Sequence, residues 1–169
     1  ALNSHIRALT FPAEAMSRVP AASADTAMKR YGPGLSRSFP NFELLATGAL
    51  NFRYPLDSTL EQPPKEWKHA SGLVIRKRGG KNQLCAWAHA GENGNEVTIV
   101  APITHELLTG LVQGIGDINI MNLTVRSKGS RVPAAANAVD FAVTFPYPIP
   151  VAQWDSPQDG VKYEVLVVD

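Results

Sequence analysis

The alternation of apolar and polar residues between residues 72 and 115 predicts three strands followed by one helix. Residues 73–78 and 82–89 are strand-like and flank Gly79-Gly80, a pair that tolerates the positive φ angles of a tight hairpin turn. A second turn signal, AGENGN, leads into residues 96–101, where alternate residues are apolar. The three segments are therefore predicted to form an antiparallel meander.

The helix is predicted at about residues 104–115. Thr104 is a suitable N-cap, and glycines at positions 114 and 116 would end the helix. The apolar residues between them recur at the spacing of one helical face: Leu107, Leu108, Leu111, Val112 and Ile115.

Further strands are predicted on both sides of this region. Residues 42–54 would supply one or two strands around Gly48, and residues 118–125, 138–145 and 161–168 one strand each. The predicted fold class is α+β, mainly β, with an antiparallel meander sheet or a partly open barrel and one amphipathic helix.

Two parts of the chain are predicted, divided by the Gly/Pro/Ser-rich residues 31–40. Residues 1–40 would be an N-terminal arm or a leader remnant, and residues 41–169 a single β-rich domain. The start is rich in Ala, Ser and Arg and poor in acid, which favours an organellar, mitochondrial location. The alternative to a leader remnant is an irregular arm packed on a neighbouring subunit, and a cytoplasmic or virion location is left open.

Composition and charge narrow the classes of function. Hydrophobic residues make up 44% and charged residues 18% of the 169, which is typical of a globular chain with a weakly charged surface. The net charge of +1 excludes a strong global attraction for polyanions, so any such attraction must be local. No apolar run is long enough to span a bilayer, so no membrane partner is expected. Cys85, the single cysteine, is expected to be a small buried hydrophobe.

Catalytic and metal-binding patterns are missing from the sequence. The four histidines have no metal-ligand spacing, and no Gly-x-Ser-x-Gly elbow is present. Gly114 and Gly116 follow a predicted helix instead of preceding one, so they do not indicate a phosphate loop. We therefore expect no metal, no cofactor and no enzymatic activity; an enzyme with an unrecognised site is the alternative.

Basic residues in turns and loops are the remaining functional signal. Cations that follow phosphates, beside aromatic rings that stack on bases, are typical of sequence-tolerant single-strand binding. Charged hairpin tips also serve solubility, and tryptophans are commonly core residues. The candidate nucleic-acid-binding residues are a first cluster with one stacking ring, Arg76, Lys77, Arg78, Lys81 and Trp87, and a second wall, Arg126, Lys128 and Arg131.

Part of this region resembles a known family. The segments GLVIRKRGGKNQLCAWAHA and EVTIVAPITHELLTGLVQGI, within residues 72–115, are similar to the hairpin and strand-turn-helix of one half of the Whirly fold. The resemblance implies binding of single-stranded DNA or RNA by sheet surfaces in an oligomer, often in an organelle. A Whirly chain should finish with a second helix, whereas this one ends in KYEVLVVD. The order of strands and helix in residues 73–145 also matches an oligonucleotide-binding barrel.

Two hypotheses of function follow. The first is a non-enzymatic protein that binds single-stranded nucleic acid, RNA or DNA, and acts as a homo- or hetero-oligomer. The second is a structural shell or assembly protein, such as a small viral coat protein, which suits the arm, the low charge and the long Pro-containing loops.

Overall fold

A computed structural model describes the chain in nine stretches: residues 2–20, 24–79, 81–92, 94–104, 106–107, 122–127, 140–142, 151–154 and 163–168. Within them the fold is α+β and mainly β, as predicted. It contains two helices, α1 (Leu2–Ser17) and α2 (Ala24–Ser38), and nine strands. The strands are β1 (Glu43–Thr47), β2 (Phe52–Tyr54), β3 (Ser71–Arg78), β4 (Lys81–Glu92), β5 (Asn95–Pro102), β6 (Asn122–Ser127), β7 (Asp140–Ala142), β8 (Val151–Gln153) and β9 (Tyr163–Val168).

The predicted meander is the centre of the larger sheet. Its six strands lie in the order β2-β1-β5-β4-β3-β8, with antiparallel pairing except between β3 and β8. Arg78 of β3 pairs with Lys81 of β4, which confirms the predicted hairpin. A second sheet has the order β6-β9-β7, and its strands lie in or overlap the three segments predicted after the helix.

The N-terminal residues form helices, whereas an irregular arm was predicted there. Along α1, Ile6, Leu9, Ala13 and Met16 follow one another at intervals of three and four residues, which places them on one helical face. All four are buried in the main core, where α1 packs on β3, β4 and β5. The segment is therefore an ordered layer of the same hydrophobic core.

The second helix runs through most of residues 31–40, where the sequence predicts a separating segment. Ala27 and Leu35 of α2 are buried in the same core, and α1 contacts α2. The backbone N–H of Phe39 donates to the carbonyl of Leu35 at 2.7 Å and closes the helix end. Burial of this face outweighs the low helix propensity of Gly32-Pro33-Gly34.

The two faces of the six-stranded sheet are covered differently. Alternate residues such as Leu44, Ala86 and Ile99 face the helices and form the larger core cluster. The residues between them face the segment 55–70, which we call the strap. Under the strap lies a second, smaller cluster of Leu45, Leu60, Val74, Cys85, Trp87 and Val100.

One turn at the end of the sheet requires glycine. Gly48, between β1 and β2, has a φ of 104°, and a Cβ there would lie 1.9 Å from the carbonyl oxygen of Gly94. The β1–β2 turn thus packs directly against the β4–β5 turn.

The start of the predicted 104–115 helix is present. The backbone N–H of Leu107 donates to Thr104 Oγ1 at 3.2 Å, as expected of an N-cap, and residues 106–107 are helical. Residues 108–115 lie outside the described residues.

Candidate nucleic-acid interface

The predicted basic hairpin divides into an exposed and a buried part. Lys77 and Arg78 are exposed at the end of β3, and Lys81 begins β4 opposite Arg78. Arg76 is buried on the strap face, because side chains alternate between the two faces along a strand. The hairpin thus presents Lys77 and Arg78 to solvent and withdraws Arg76 from it.

Arg76 belongs to a buried ion pair. Its Nη1 donates to Glu43 Oε2, and Ser58 Oγ of the strap donates to Glu43 Oε1 at 2.7 Å. Arg78 Nη1 lies 4.0 Å from the same Oε2 atom. Two strands separate β1 from β3 in the sheet, so this contact indicates that the sheet curls towards the strap. Since Arg76 already matches the Glu43 charge, the charge of Arg78 is left for other partners.

Trp87 is a core residue in this structure. Its side chain is 1% exposed, and its ring contacts those of Trp67 and Trp154 edge-on, with centroids 5.0 and 6.0 Å away. Its indole Nε1 has no hydrogen-bond partner among the described residues. A ring enclosed in this way offers no face to a base, so Trp87 does not serve as the stacking platform expected from the sequence.

The predicted second wall is described only in small part. Arg126 lies in β6, where it pairs in register with Glu164 of β9. Lys128 and Arg131 lie outside the described residues. The expected groove between the two basic clusters therefore stays a prediction.

A different cleft lies at the end of the sheet, beside Arg78. It encloses about 240 Å³ and is open to solvent on one side. Its lining comes from the last turn of α2, the turn between α2 and β1, the start of β1, the ends of β2 and β3 and the first strap residue: Ser36, Asn41, Phe42, Glu43, Tyr54, Pro55 and Arg78.

The cleft contains an exposed aromatic ring on a rigid support. Tyr54 is 41% exposed, and its ring stacks on Phe42 with centroids 5.0 Å apart and an interplanar angle of 24°. Phe42 is buried in the main core, so it fixes the plane of the Tyr54 ring. An aromatic ring held from one side, with part of its surface open, can accept a planar ligand.

Arg78 carries a positive charge in this cleft, whereas the negative charge of Glu43 is balanced by Arg76. The Arg78 side chain is 56% exposed, whereas the Glu43 carboxylate is buried and bound to Arg76 and Ser58. A ligand phosphate would therefore meet a solvent-accessible guanidinium, which binds phosphate oxygens through two parallel N–H groups.

Sequence reasoning identified Arg78 and missed the other residues of the cleft. Tyr54 and Asn41 carry no local motif, and they reach Arg78 through the curl of the sheet and the packing of α2. The only sequence signal was the pair of aromatic residues, Phe42 and Tyr54, at the ends of the predicted first strand region.

The described residues contain neither a metal-binding cluster nor a reactive thiol. No group of three or more His, Cys, Asp and Glu side chains among them could hold a metal ion. Burial raises the pKa of the Cys85 thiol to about 12, so this thiol is protonated at neutral pH. None of the described helices is both long and apolar enough for a bilayer crossing.

Comparison of the chain with family models, curated proteins and solved structures found no significant match. The resemblance of residues 72–115 to a Whirly half thus stays a prediction, and the functional argument rests on the geometry of the cleft.

Proposed function

We propose that this protein is a non-enzymatic single-stranded nucleic-acid-binding protein, and that the cleft beside Arg78 holds one nucleotide of the strand. The observation that carries the proposal is the exposed guanidinium of Arg78 lining the same cleft as the half-exposed, core-supported ring of Tyr54. Arg78 would bind a phosphate and Tyr54 would stack on an unpaired base.

The geometry supports a single strand over a duplex. A base can reach the Tyr54 ring only if it leaves its own stack, which is easy in a single strand and costs a few kcal/mol in a duplex. Stacking on aromatic rings is tolerant of sequence because every base has a π face. Lys77 is also exposed, on the opposite face of β3 at the same end of the hairpin, and would contact a neighbouring phosphate.

Two parts of the proposal rest on the sequence alone. An organellar location is supported by the composition of the first forty residues. Assembly into an oligomer is supported by the low charge of the whole chain and by the implied family resemblance.

The test is the affinity of the protein for a labelled single-stranded oligonucleotide across a salt series. Tyr54→Ala is expected to weaken binding about 5-fold to 150-fold, since base stacking on an aromatic ring contributes about 1–3 kcal/mol. Tyr54→Phe keeps the ring and should keep the affinity. Arg78→Ala should weaken binding and reduce the slope of log K against log salt by about 0.7 for each phosphate that the variant no longer neutralises.

A matched control separates the cleft from general charge. Arg18→Ala removes an arginine that is similarly exposed, at 63%, and likewise lies near a glutamate, Glu92. Arg18 lies beside the last residue of β4, whereas Arg78 pairs with the first residue of β4, so the two are about 35 Å apart along the strand. If Arg18→Ala and Arg78→Ala change the salt slope equally, the cleft is not the phosphate site.

The second candidate function, a shell or assembly protein, is supported by two exposed apolar side chains. Leu56 at the start of the strap and Phe11 on α1 are among the most exposed large hydrophobic residues described. Large apolar and aromatic side chains are enriched at the centres of subunit contacts, whereas single exposed ones also occur on monomers. Light scattering distinguishes the two functions: large closed particles that form without nucleic acid, from a protein indifferent to the oligonucleotide, would favour assembly.

A further inference from the structure

The exposed face of α2 carries positive charge beyond the cleft. Between Asp25 and Glu43 the sequence contains Lys29, Arg30 and Arg37 and no carboxylate. Arg30 and Arg37 are both exposed. They are seven residues apart, which is nearly two helical turns, so they lie on one face of α2 about 10 Å apart along the helix axis.

Ion pairing distinguishes these two arginines from other cations of the helical layer. Lys29 Nζ lies 2.7 Å from Asp25 Oδ2, and the Arg18 guanidinium is bound to a carboxylate at the same distance. Arg30 and Arg37 form no ion pair within the part of the chain that the structure describes. Their charges are therefore available to an anionic partner.

An aromatic ring supports Arg30 in place of a carboxylate. The guanidinium carbon lies 5.5 Å from the centre of the Tyr31 ring, which is a cation–π contact. Tyr31 is half-buried and packs against the main core, so it orients the guanidinium without neutralising it. Arg37 lies in the last turn of α2, where the helix dipole favours a cation. That dipole acts only within the last turn and does not account for Arg30.

The end of α2 connects the two arginines to the cleft. Ser36, the neighbour of Arg37 in the last turn, lines the cleft together with Arg78. The exposed residues between the two arginines on this face are Pro33 and Gly34, whose side chains do not extend far from the helix. A strand with one base in the cleft could therefore continue along α2 with its phosphates facing the arginines.

We propose that Arg37 and Arg30 extend the phosphate path from the cleft along α2, so that the protein binds several consecutive nucleotides of a single strand. This inference rests on the proposed function, in which Arg78 binds the phosphate of the nucleotide in the cleft. Cations that follow the backbone in this way are the means by which sequence-tolerant proteins hold a longer strand.

The experiment measures the salt dependence of binding of the full chain to labelled oligo-thymine of about ten nucleotides, a length within the usual range of single-strand sites. The double variant Arg30→Ala/Arg37→Ala should reduce the slope of log K against log salt by about 1.4, as expected for two phosphates. Both side chains are exposed and alanine is the strongest helix former, so α2 should stay folded, which circular dichroism checks.

Two further variants separate the path from other effects. Arg37→Lys keeps the charge and should keep the wild-type slope. Arg18→Ala removes an exposed arginine that already has a carboxylate partner, so it should leave the slope unchanged.

Strand length provides an independent readout. A strand of about two nucleotides can fill the cleft but cannot reach along α2, so the double variant should bind it as tightly as the wild type does. The same variant should bind the longer strand more weakly than the wild type.

The outcomes distinguish this inference from the proposed function. An unchanged slope in the double variant, while Arg78→Ala still reduces it, would overturn the path along α2 and leave the cleft in place. Equal weakening for the short and the long strand would indicate a general electrostatic attraction and would also overturn the path. Absence of binding to both strands by the wild type would overturn the proposed function and this inference together.

Discussion

The two faces of the six-stranded sheet are covered by different chemistry. On one face, α1 and α2 bury a continuous apolar cluster, in which residues such as Leu9 and Leu44 are fully enclosed. On the other face the strap buries a smaller cluster and is held by side-chain hydrogen bonds to Glu43, Thr47 and Thr98. The helical face thus depends mainly on hydrophobic burial, with the Asn95 amide bound to Ser17 and Leu50 at its edge, and the strap face depends more on directional polar contacts.

This difference determines which kinds of substitution destabilise each face. Apolar packing tolerates changes of shape and is indifferent to protonation, whereas a buried polar group that loses its partner keeps its full desolvation cost. The strap covers a face with a buried carboxylate, a buried guanidinium and a buried threonine hydroxyl. We therefore expect changes of charge and of pH to act mainly through the strap face.

The largest effect is expected from Glu43→Ala. The substitution leaves the Arg76 guanidinium buried without its counter-charge and removes the acceptor for Ser58 Oγ. Breaking a buried pair by removing one partner costs about 3–5 kcal/mol, so the free energy of unfolding should fall by that amount. Urea denaturation followed by tryptophan fluorescence measures it, because Trp87 and Trp154 lie close to the pair.

The matched control is Glu92→Ala. Glu92 also pairs with an arginine, Arg18, but both side chains are substantially exposed. Water screens an exposed pair, so Glu92→Ala should lower the free energy of unfolding far less than Glu43→Ala does. Similar losses of unfolding free energy in the two variants would show that the Glu43–Arg76 pair is hydrated. Ion pairs on the strap face would then contribute no more to stability than ion pairs on the surface.

The strands of the meander were predictable because the residues that specify them lie close together in the sequence. Turn residues at Gly79-Gly80 and the alternation along β3 and β5 specify two hairpins whose paired residues lie within 18 positions of each other, from Ser71 to Ala88 and from Cys85 to Pro102. The helices were not predicted, although Ile6, Leu9, Ala13 and Met16 have helical spacing. Pro12 lies inside α1 and Gly32-Pro33-Gly34 inside α2, and such residues indicate breaks unless burial in the core compensates for them.

The candidate site was less predictable because it depends on contacts that are distant in sequence. The alternation along β3 places Arg76 and Arg78 on one face, but it cannot tell that the strap covers Arg76 and leaves Arg78 open. An aromatic ring near basic residues in sequence suggests stacking, yet the strap cluster encloses Trp87. Tyr54 is a candidate because its ring stacks on Phe42 at the cleft, which is a tertiary feature.

A smaller effect is expected when the strap loses one anchor. Gln62 Nε2 donates to Thr47 Oγ1 at 3.0 Å and to the carbonyl of Glu96 at 3.2 Å, and its Oε1 accepts from Thr98 Oγ1. Because the Thr98 hydroxyl is buried, Gln62→Ala should lower the free energy of unfolding by about 1–3 kcal/mol. Amide hydrogen exchange should show faster opening of the strap than of α1.

The neighbouring residue provides the control for this anchor. Glu61→Ala truncates an exposed side chain of similar length on the same segment, so it should change stability by less than about 0.5 kcal/mol. If exchange in α1 accelerates as much as in the strap when Gln62 is replaced, the two faces open together, and the contrast between them fails.

The smallest effect is a pH dependence centred on His89, on the strap face. Its Nδ1 lies 2.8 Å from Thr98 Oγ1, and since that hydroxyl donates to Gln62, Nδ1 must carry the proton. An additional proton would go to Nε2, which lies 3.9 Å from Glu96 Oε1. Burial lowers the pKa of His89 from its usual 6.5, and the nearby Glu96 carboxylate partly opposes this by raising it.

The sign of this pH dependence follows from the lowered pKa. Above pH 6.5 the imidazole is neutral in both the folded and the unfolded chain, and stability is at its full value. As the pH falls below 6.5 the unfolded chain takes up the proton first, so stability should decline. His89→Gln should flatten the decline between about pH 6.5 and 5, above the usual carboxylate range. Burial lowers the pKa of His5 in the same direction, so His5→Gln is the comparison, and a decline that disappears only in His5→Gln would assign it to the helical face.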